Sequence, residues 1–453
     1  MVNSSFLNDD GTITAIATAA GMGGVGVIRI SGPDAFSIAQ KITQVKTIES
    51  HRAVFSSFLL KDGQLLDKGL LLGFKSPKSF TGEDVVEFQL HGGPALLQTL
   101  LEEVLSLGAR MAKPGEFTYR AFVNNKLDLT QAEAVSDIIN ASTKSAVINA
   151  ANSLKGDFSL KINNLLKELI DIRMYIEACL DFPEEEIDFI EKGQIKAKIE
   201  SIRQSIIDLN QIAAKGQIIQ DGFQVCFVGK PNVGKSTLIN LFSKEEVAIV
   251  TDIPGTTRDP VRASINLNGI PIKFVDTAGI RETNDVVEKA GIEKTRATIE
   301  RSALVIVMLD DESEIKDYLN QNILSDDINI IWVVNKIDLS SKKAKVTHYE
   351  NNPLVYASAK FNLGIDLLEN EILKSFGLES FDTNEQLFSS RQRHLDALKQ
   401  INNYLKKALE RIEQPELVAE ELFLAQKEMS SITGEFSTED LLGEIFSRFC
   451  IGK

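Results

Sequence analysis

Gly229-Lys230-Pro231-Asn232-Val233-Gly234-Lys235-Ser236 sets two glycines, a lysine and a hydroxyl at the spacing of a phosphate-cradling loop. Backbone N–H groups of such a loop and the helix N-terminus behind it face the phosphates. Lys235 is placed to reach the β and γ phosphates, and Ser236, followed by Thr237, to bind there and hold Mg²⁺. The context fits: Val225-Cys226-Phe227-Val228 reads as a buried strand leading in, and 236–242 reads as a helix leading out.

Three further motifs follow in order. Asp276-Thr277-Ala278-Gly279 ends a strand over 272–275, with Asp276 behind the Mg²⁺ ligands and the Gly279 amide facing the γ-phosphate. Asn335-Lys336-Ile337-Asp338 ends a strand over 328–334. A buried carboxylate at Asp338 accepts from guanine N1–H and its exocyclic amine; adenine has no N1–H and is rejected. Ser358-Ala359-Lys360 follows a third strand and reads as the loop closing over the base. Any one of these could be a turn; their order and separation favour a guanine-nucleotide site. One departure bears on mechanism. Many GTPases carry a water-orienting glutamine just after the second motif; here the position is Ile280. The segment Thr251-Asp252-Ile253-Pro254-Gly255-Thr256-Thr257-Arg258-Asp259 is rich in oxygen ligands and suits a cation beside the phosphates.

The elements that must position these loops are legible in outline. Strands alternate with helices over 223–376, the mark of a parallel sheet with crossover helices. Residues 1–120 mix glycines with β-branched runs and read as a small α/β domain. The stretches 127–214 and 391–449 carry apolar residues at three- and four-residue spacing and read as helical. The fold class expected is therefore multidomain α/β: an N-terminal α/β domain (1–120), a helical domain in two parts (121–216 and 379–453), and a doubly wound, Ras-like phosphate-loop domain (217–378) inserted between them. Insertion is preferred to two separate helical modules, since neither flank alone offers much core. A length of 453 residues agrees, suggesting about three domains.

Composition sets limits. A net charge of −15 argues against a broad, sequence-independent grip on nucleic acid. No apolar run is long enough to span a membrane, and Asn8, Asp9 and Asp10 sit where a secretion signal would be basic. Cys179, Cys226 and Cys450 are too few and scattered for a disulfide framework or zinc site. A reducing cytoplasm is the expectation. Gly21, Gly23 and Gly26 fit G-x-G-x-x-G, but they run into a strand-like segment over 27–30 instead of a helix, so no dinucleotide site is expected.

Outside the nucleotide loops the chain carries Gly23-Gly24-Val25-Gly26-Val27-Ile28-Arg29-Ile30-Ser31-Gly32, Phe80-Thr81-Gly82-Glu83-Asp84, His91-Gly92-Gly93, Lys113-Pro114-Gly115-Glu116-Phe117, Asn125-Lys126-Leu127-Asp128-Leu129 and Phe449-Cys450-Ile451-Gly452-Lys453. With these motifs the chain resembles, over essentially its whole length, the MnmE (TrmE) family of tRNA-modification GTPases. It departs at Met22, where the family often has arginine. The resemblance implies a homodimer formed through an N-terminal domain that binds a reduced folate, 5-formyltetrahydrofolate or a 5,10-methylene relative. It implies a heterotetramer with an FAD- and NADH-dependent partner of the MnmG (GidA) family, modifying C5 of the tRNA wobble uridine, and GTP hydrolysis stimulated by potassium.

Carried over by motif, Asn232, Thr251, Ile253 (through its carbonyl) and Thr256 match the potassium ligands, and Ser236 and Thr257 the Mg²⁺ ligands. Potassium would then supply the positive charge an arginine finger supplies elsewhere. Glu288 matches the family's catalytic glutamate; read alone it is a solvated helix charge. Arg29, Glu87, Lys126 and Lys453 match the folate-binding positions. A carboxylate suits the donors of a pterin, and a cation suits the anionic glutamate tail. Cys450 reads two ways, as a small buried hydrophobe or as a thiol delivered to the folate site by a short tail. Another class of reading, a GTP-dependent assembly factor, expects an RNA-binding appendage or tandem GTPase domains.

Overall fold

In the computed structural model the described residues are 11–181, 192–245, 261–276, 298–320, 328–340, 342–377, 387–435, 439–447 and 449–452. The chain divides into two compact units. One gathers Met1–Ile139, Ser153–Asn210 and Arg393–Lys453; the other gathers Asn140–Asn152 and Gln211–Gln392.

The first unit opens with a six-stranded sheet built from β1 (Ile13–Ile16), β2 (Gly23–Ser31), β3 (Ala53–Leu59), β4 (Leu65–Phe74), β5 (Val85–Gly92) and β6 (Arg110–Met111), in the order β3-β4-β5-β2-β1-β6. Pairing is antiparallel except between β1 and β6. Successive side chains of a strand point to opposite faces. Ile28 and Ile30 of β2, with Val86 and Phe88 of β5, form one buried face, covered by the helices Ala35–Thr43 and Pro94–Ser106. Arg29 and Glu87 fall on the other face, directly opposite each other in the β2–β5 register. There Ile13 and Ala15 pack against Phe117 of the helix Glu116–Val123. The glycine run at 21–26 enters β2, as its failed helix context required.

The rest of this unit is helical. Among its elements are Leu129–Asn140, Asp157–Asp181, Gln392–Glu410, Pro415–Thr433 and Glu439–Ser447. A buried ion cluster ties three of them. Glu133 accepts from Arg393 Nε at 2.9 Å and Nη2 at 2.7 Å, and His394 Nε2 stands 3.1 Å from the same carboxylate. Arg393 also donates to the carbonyls of Ser431 and Ile432. Within the stretch 127–214 the apolar spacing runs on through 132–151, but the chain there does not form one helix. It breaks after Asn140 because the Thr143 hydroxyl accepts from the Ala146 N–H at 3.1 Å and starts a new helix, Lys144–Lys155.

The second unit holds a seven-stranded sheet: β7 (Phe223–Gly229), β8 (Val261–Leu267), β9 (Ile270–Asp276), β10 (Leu304–Leu309), β11 (Ile330–Val334), β12 (Lys345–Tyr349) and β13 (Asn352–Tyr356), ordered β12-β13-β11-β10-β7-β9-β8. The five inner strands run parallel, and the edge strands β12 and β8 are antiparallel to their neighbours. Every residue of β10 and β11 is buried, as expected of parallel strands covered on both faces. The helices Lys235–Glu245 and Ile365–Ser375 seal one face through Leu238, Phe242, Leu368 and Ile372. From β7 the chain turns first to β8 and β9 on one side, then to β10 on the other. That reversal is the switch point where open α/β sheets bind ligands, and the phosphate loop leaves β7 there.

Candidate functional site

The phosphate loop is shaped by its neighbours as much as by its glycines. Gly234 has φ +109°, and a Cβ there would lie 2.2 Å from Asn335 Nδ2. Asn232 is in the left-handed region at φ 61°, which asparagine tolerates better than most residues. Lys235, at the start of its helix, is 5% exposed and donates to the carbonyls of Gly229 at 2.7 Å and Lys230 at 2.9 Å. Its ammonium thus lies along the inside of the loop, beside the N–H groups that would face phosphate. Val233 is buried beneath; Asn232, Ser236 and Thr237 are exposed on the outer side. A turn bounded by Gly229 and Gly234, a lysine and a hydroxyl at a helix N-terminus fit a nucleoside triphosphate with Mg²⁺, and Ser236 would be the Mg²⁺ ligand.

Asn335 joins the phosphate loop to the base side. Its Nδ2 donates to Val233 O at 2.7 Å, and its Oδ1 accepts from the Ala359 N–H at 3.0 Å. Its side chain is 5% exposed by residue, so losing it would leave two buried backbone groups unpaired, at about 1–3 kcal/mol each. Lys336 adopts φ 61°, uncommon for a non-glycine. Ile337 is buried and anchors a short turn, Ile337–Leu339. Asp338 is exposed, where a buried carboxylate was expected, because that turn stands at the rim of the sheet. One oxygen accepts from the Ser358 hydroxyl at 2.5 Å, leaving the other side of the carboxylate for two donors of a base. Ser358 is fully buried, Ala359 nearly so, and Lys360 exposed with its ammonium 5.3 Å from the Phe361 ring. The structure therefore brings Asn232, Val233, Gly234, Lys235, Ser236, Asn335, Lys336, Asp338, Ser358 and Ala359 to one edge of one sheet.

Some positions lie outside the described residues: Thr251, Asp252, Ile253, Pro254, Gly255, Thr256, Thr257, Thr277, Ala278, Gly279, Ile280, Glu288 and Lys453, and the side chain of Asp276. The backbone of Asp276 ends β9, beside Phe227 of β7.

Sequence reading missed a turn of carboxylates after β10. Lys336 Nζ meets Asp310 Oδ1 at 2.8 Å, Lys342 meets Asp311 at 3.1 Å, and Lys230 meets Glu314 at 2.9 Å. The Tyr356 hydroxyl donates to Glu312. The Ser313 amide and then Lys342 hold the Asp311 carboxyl down at about 2, while burial and Glu312 push the Tyr356 phenol up to about 12. No spacing rule flags this cluster, since its partners come from two separate loops and the end of a strand.

A second candidate site lies in the other unit. Arg29 donates to Glu87 Oε1 from Nε at 2.9 Å and from Nη2 at 2.8 Å. Both side chains are mostly buried, and the guanidinium stands 5.7 Å from the ring centroids of Phe80 and Phe117. Arg29 is thus engaged with Glu87 through Oε1, while Glu87 Oε2 accepts from Gln89 Nε2 at 3.5 Å. Lys126 is exposed and donates to Pro77 O at 3.0 Å, so the loop 77–84 runs between it and the Arg29 pair. It borders a cleft of about 430 Å³ that Asp128, Gln131, Asn163 and Glu435 also line. The C-terminal tail reaches the same sheet. Cys450 O accepts from the Gly115 N–H at 3.3 Å, and Gly452 is seated so that a Cβ would lie 2.5 Å from Ile16 O. Cys450 itself is exposed, so its thiol is not packed as a core hydrophobe. Polar, mostly buried groups between aromatic rings fit a heteroaromatic ligand such as a pterin.

Comparison with known proteins agrees with this geometry. Residues 129–450 match the family model described as the MnmE helical domain, and residues 12–126 match that of the GTP-binding protein TrmE N-terminus. The tRNA modification GTPase MnmE of Chromobacterium violaceum is 48% identical over 446 residues, 98% of each chain. That of Nitrosomonas europaea is 47% identical over 99% of this chain and 100% of its own. That of Francisella philomiragia is 47% identical over 98% and 99%. Among solved structures, Aquifex aeolicus Era bound to GDP and aluminium fluoride aligns over 40% of this chain and 66% of that one, at 28% identity and a TM-score of 0.26; a score that low decides nothing.

A phosphate loop at the switch point of a parallel sheet, tied through Asn335 to a guanine-recognition loop, defines a GTP-hydrolysing P-loop protein whose GTPase unit is inserted in a larger chain. The pairing of that unit with the matched N-terminal and helical regions is specific. The chain belongs to the MnmE family.

Proposed function

We propose that this chain is a potassium-stimulated GTPase that acts on tRNA, adding an aminomethyl or carboxymethylaminomethyl group to C5 of the wobble uridine. The one-carbon unit comes from a reduced folate, and the work is shared with an FAD- and NADH-dependent partner of the MnmG family. The observation that carries this reading is the near-full-length identity to tRNA modification GTPases in a chain whose nucleotide loops are intact. Folate is held at Arg29, Glu87, Lys126 and Lys453, and the mostly buried Arg29–Glu87 pair between two aromatic rings supports it. Cys450 offers a thiol on the tail that docks on the same sheet.

In the GTPase unit the residues divide the labour. Asp338 and Ser358 select the base, Lys235 draws charge off the β and γ phosphates, and Ser236 with Thr257 holds Mg²⁺. Asn232 is exposed on the outer side of the loop with its backbone in the left-handed region, which supports it as a potassium ligand, with Thr251, Ile253 and Thr256. Potassium supplies positive charge where the transition state gathers negative charge. Glu288 acts on the attacking water, a role Ile280 cannot fill. Two chains form a dimer, and their GTPase units meet for hydrolysis. No described helix is long and apolar enough to cross a membrane.

The test has two arms. GTP hydrolysis by the full chain is measured in potassium and in sodium, for wild type and Asn232→Ala. The variant should lose the potassium stimulation and keep nucleotide binding; an undiminished potassium response removes the ligand assignment. Nucleosides of tRNA from cells lacking the protein should show wobble uridines without the C5 group, and normal nucleosides would overturn the tRNA reading.

A further inference from the structure

The end of β10 and the turn after it place four carboxylates in five positions: Asp310, Asp311, Glu312 and Glu314. An acidic run is ordinarily a solvated face. Here each carboxylate meets a different partner, and the partners are drawn from the phosphate loop, the connection between β11 and β12, and the end of β13. Lys230, held by Glu314, is part of the phosphate loop. Lys336, held by Asp310, is part of the guanine-recognition loop. Tyr356, held by Glu312, ends the strand that leads into Ser358-Ala359-Lys360. Lys342, held by Asp311, follows the recognition loop.

The turn that gathers these partners is itself fixed. Asp311 Oδ1 accepts from the Ser313 N–H at 3.1 Å and its hydroxyl at 2.9 Å. Lys342 and Lys345 stand 5.4 and 4.8 Å from the Tyr356 ring centroid and close the group. Lys230 is pinned from both sides, its carbonyl by Lys235 and its ammonium by Glu314. Lys336 carries the left-handed backbone between Asn335 and Asp338, so anchoring its side chain anchors the orientation of both.

We infer that the turn over 310–314 is a positioning bracket for the nucleotide, in which Glu314 sets the phosphate loop through Lys230 and Asp310 sets the guanine-recognition loop through Lys336. The inference rests on the reading that guanine nucleotide binds at this site. Neither carboxylate touches the nucleotide; both act through their lysines. The two pairs are partly exposed, with side-chain exposures of 54% and 17% for Lys230 and Glu314, and 37% and 45% for Lys336 and Asp310. Such pairs do little for folding and are screened by salt. Their effect falls on nucleotide affinity and on its salt response.

The test measures binding of fluorescent GDP and steady-state GTP hydrolysis by the full chain, for wild type, Asp310→Asn, Glu314→Gln, the double variant and Asp310→Glu. Each neutralised variant should bind GDP and GTP about two- to fivefold more weakly at low salt. KM for GTP should rise in step while kcat stays unchanged. Raised ionic strength should bring wild type down to the level of the variants. The double variant should lose less than the product of the single losses, since both act in one network, and Asp310→Glu should keep most of the affinity. Variants that bind as wild type at low salt overturn the bracket. So does a loss that is the same at every salt concentration, which marks a defect of the fold. Failure of wild type itself to bind GDP would instead overturn the site reading.

Discussion

Gly234 stands where two demands meet. Its φ of +109° suits glycine alone, and Asn335 fills the space a side chain would need. Gly234→Ala should therefore displace Asn335, costing roughly 1–3 kcal/mol in backbone strain before the clash is counted. GDP affinity measured by calorimetry should fall by at least about tenfold; wild-type affinity in the variant would mean the loop relaxes freely. Asp338 tests the base side. Asp338→Asn removes a charged acceptor for two donors, and GTP affinity should fall roughly 100-fold while xanthosine triphosphate, which has a carbonyl in place of the amine, gains relative to GTP. A competition assay in which GTP keeps its preference would count against the role of Asp338.

At the scale of elements, the buried ion cluster at Glu133 links Leu129–Asn140 to Gln392–Glu410 and to the end of Pro415–Thr433. Burial alone would raise the Glu133 carboxyl, but Arg393 and then His394 outweigh it and hold it below the usual carboxylate range. A depressed carboxyl stabilises the fold above its unfolded pKa, near 4, and that contribution fades as pH falls through the folded value. Glu133→Gln leaves the half-buried Arg393 without its counter-charge and should cost up to about 3 kcal/mol at neutral pH. In denaturant titrations followed by circular dichroism, the gap between wild type and variant should hold at neutral pH and shrink below pH 4. A gap independent of pH would mean the cluster acts by packing alone.

Much of the element pattern was readable in advance. The buried runs of β7 and β11 announce themselves because both faces of a parallel strand are covered, and the loops that follow them carry motifs with fixed spacing. The break at 141–143 was not readable, because a threonine cap inside an apolar periodicity is decided by one hydrogen bond. Nor was the membership of Asn140–Asn152 in the GTPase unit. Its ties are Thr143 to Gly269 O, Asn149 to Gly216 O and Asn152 to Leu387 O, and such partners distant in sequence leave no periodic trace. The Arg29–Glu87 pair depends on strand register, which neither segment reveals alone.

For the molecule as a whole, the proposed function predicts that GTP hydrolysis and tRNA modification can be separated by mutation. Cys450→Ser alters the exposed thiol and leaves the backbone contacts of the tail in place. Nucleoside analysis should show tRNA modification lost, with GTP hydrolysis retained; full modification by the variant would make the cysteine a structural residue only.

The order in which the chain is made gives the C-terminal helix a further consequence. Tyr119, Leu129 and Ala132 form one buried cluster with Ile445, Phe446 and Phe449. A ribosome delivers the first three early, then the whole GTPase unit, and only afterwards the helix Glu439–Ser447 that covers them. During that interval the nascent first unit carries an open apolar face, the kind of surface that chaperones bind and that aggregates when they are absent. The GTPase unit, by contrast, is complete once Gln392 is made, before the last segment of the first unit begins at Arg393.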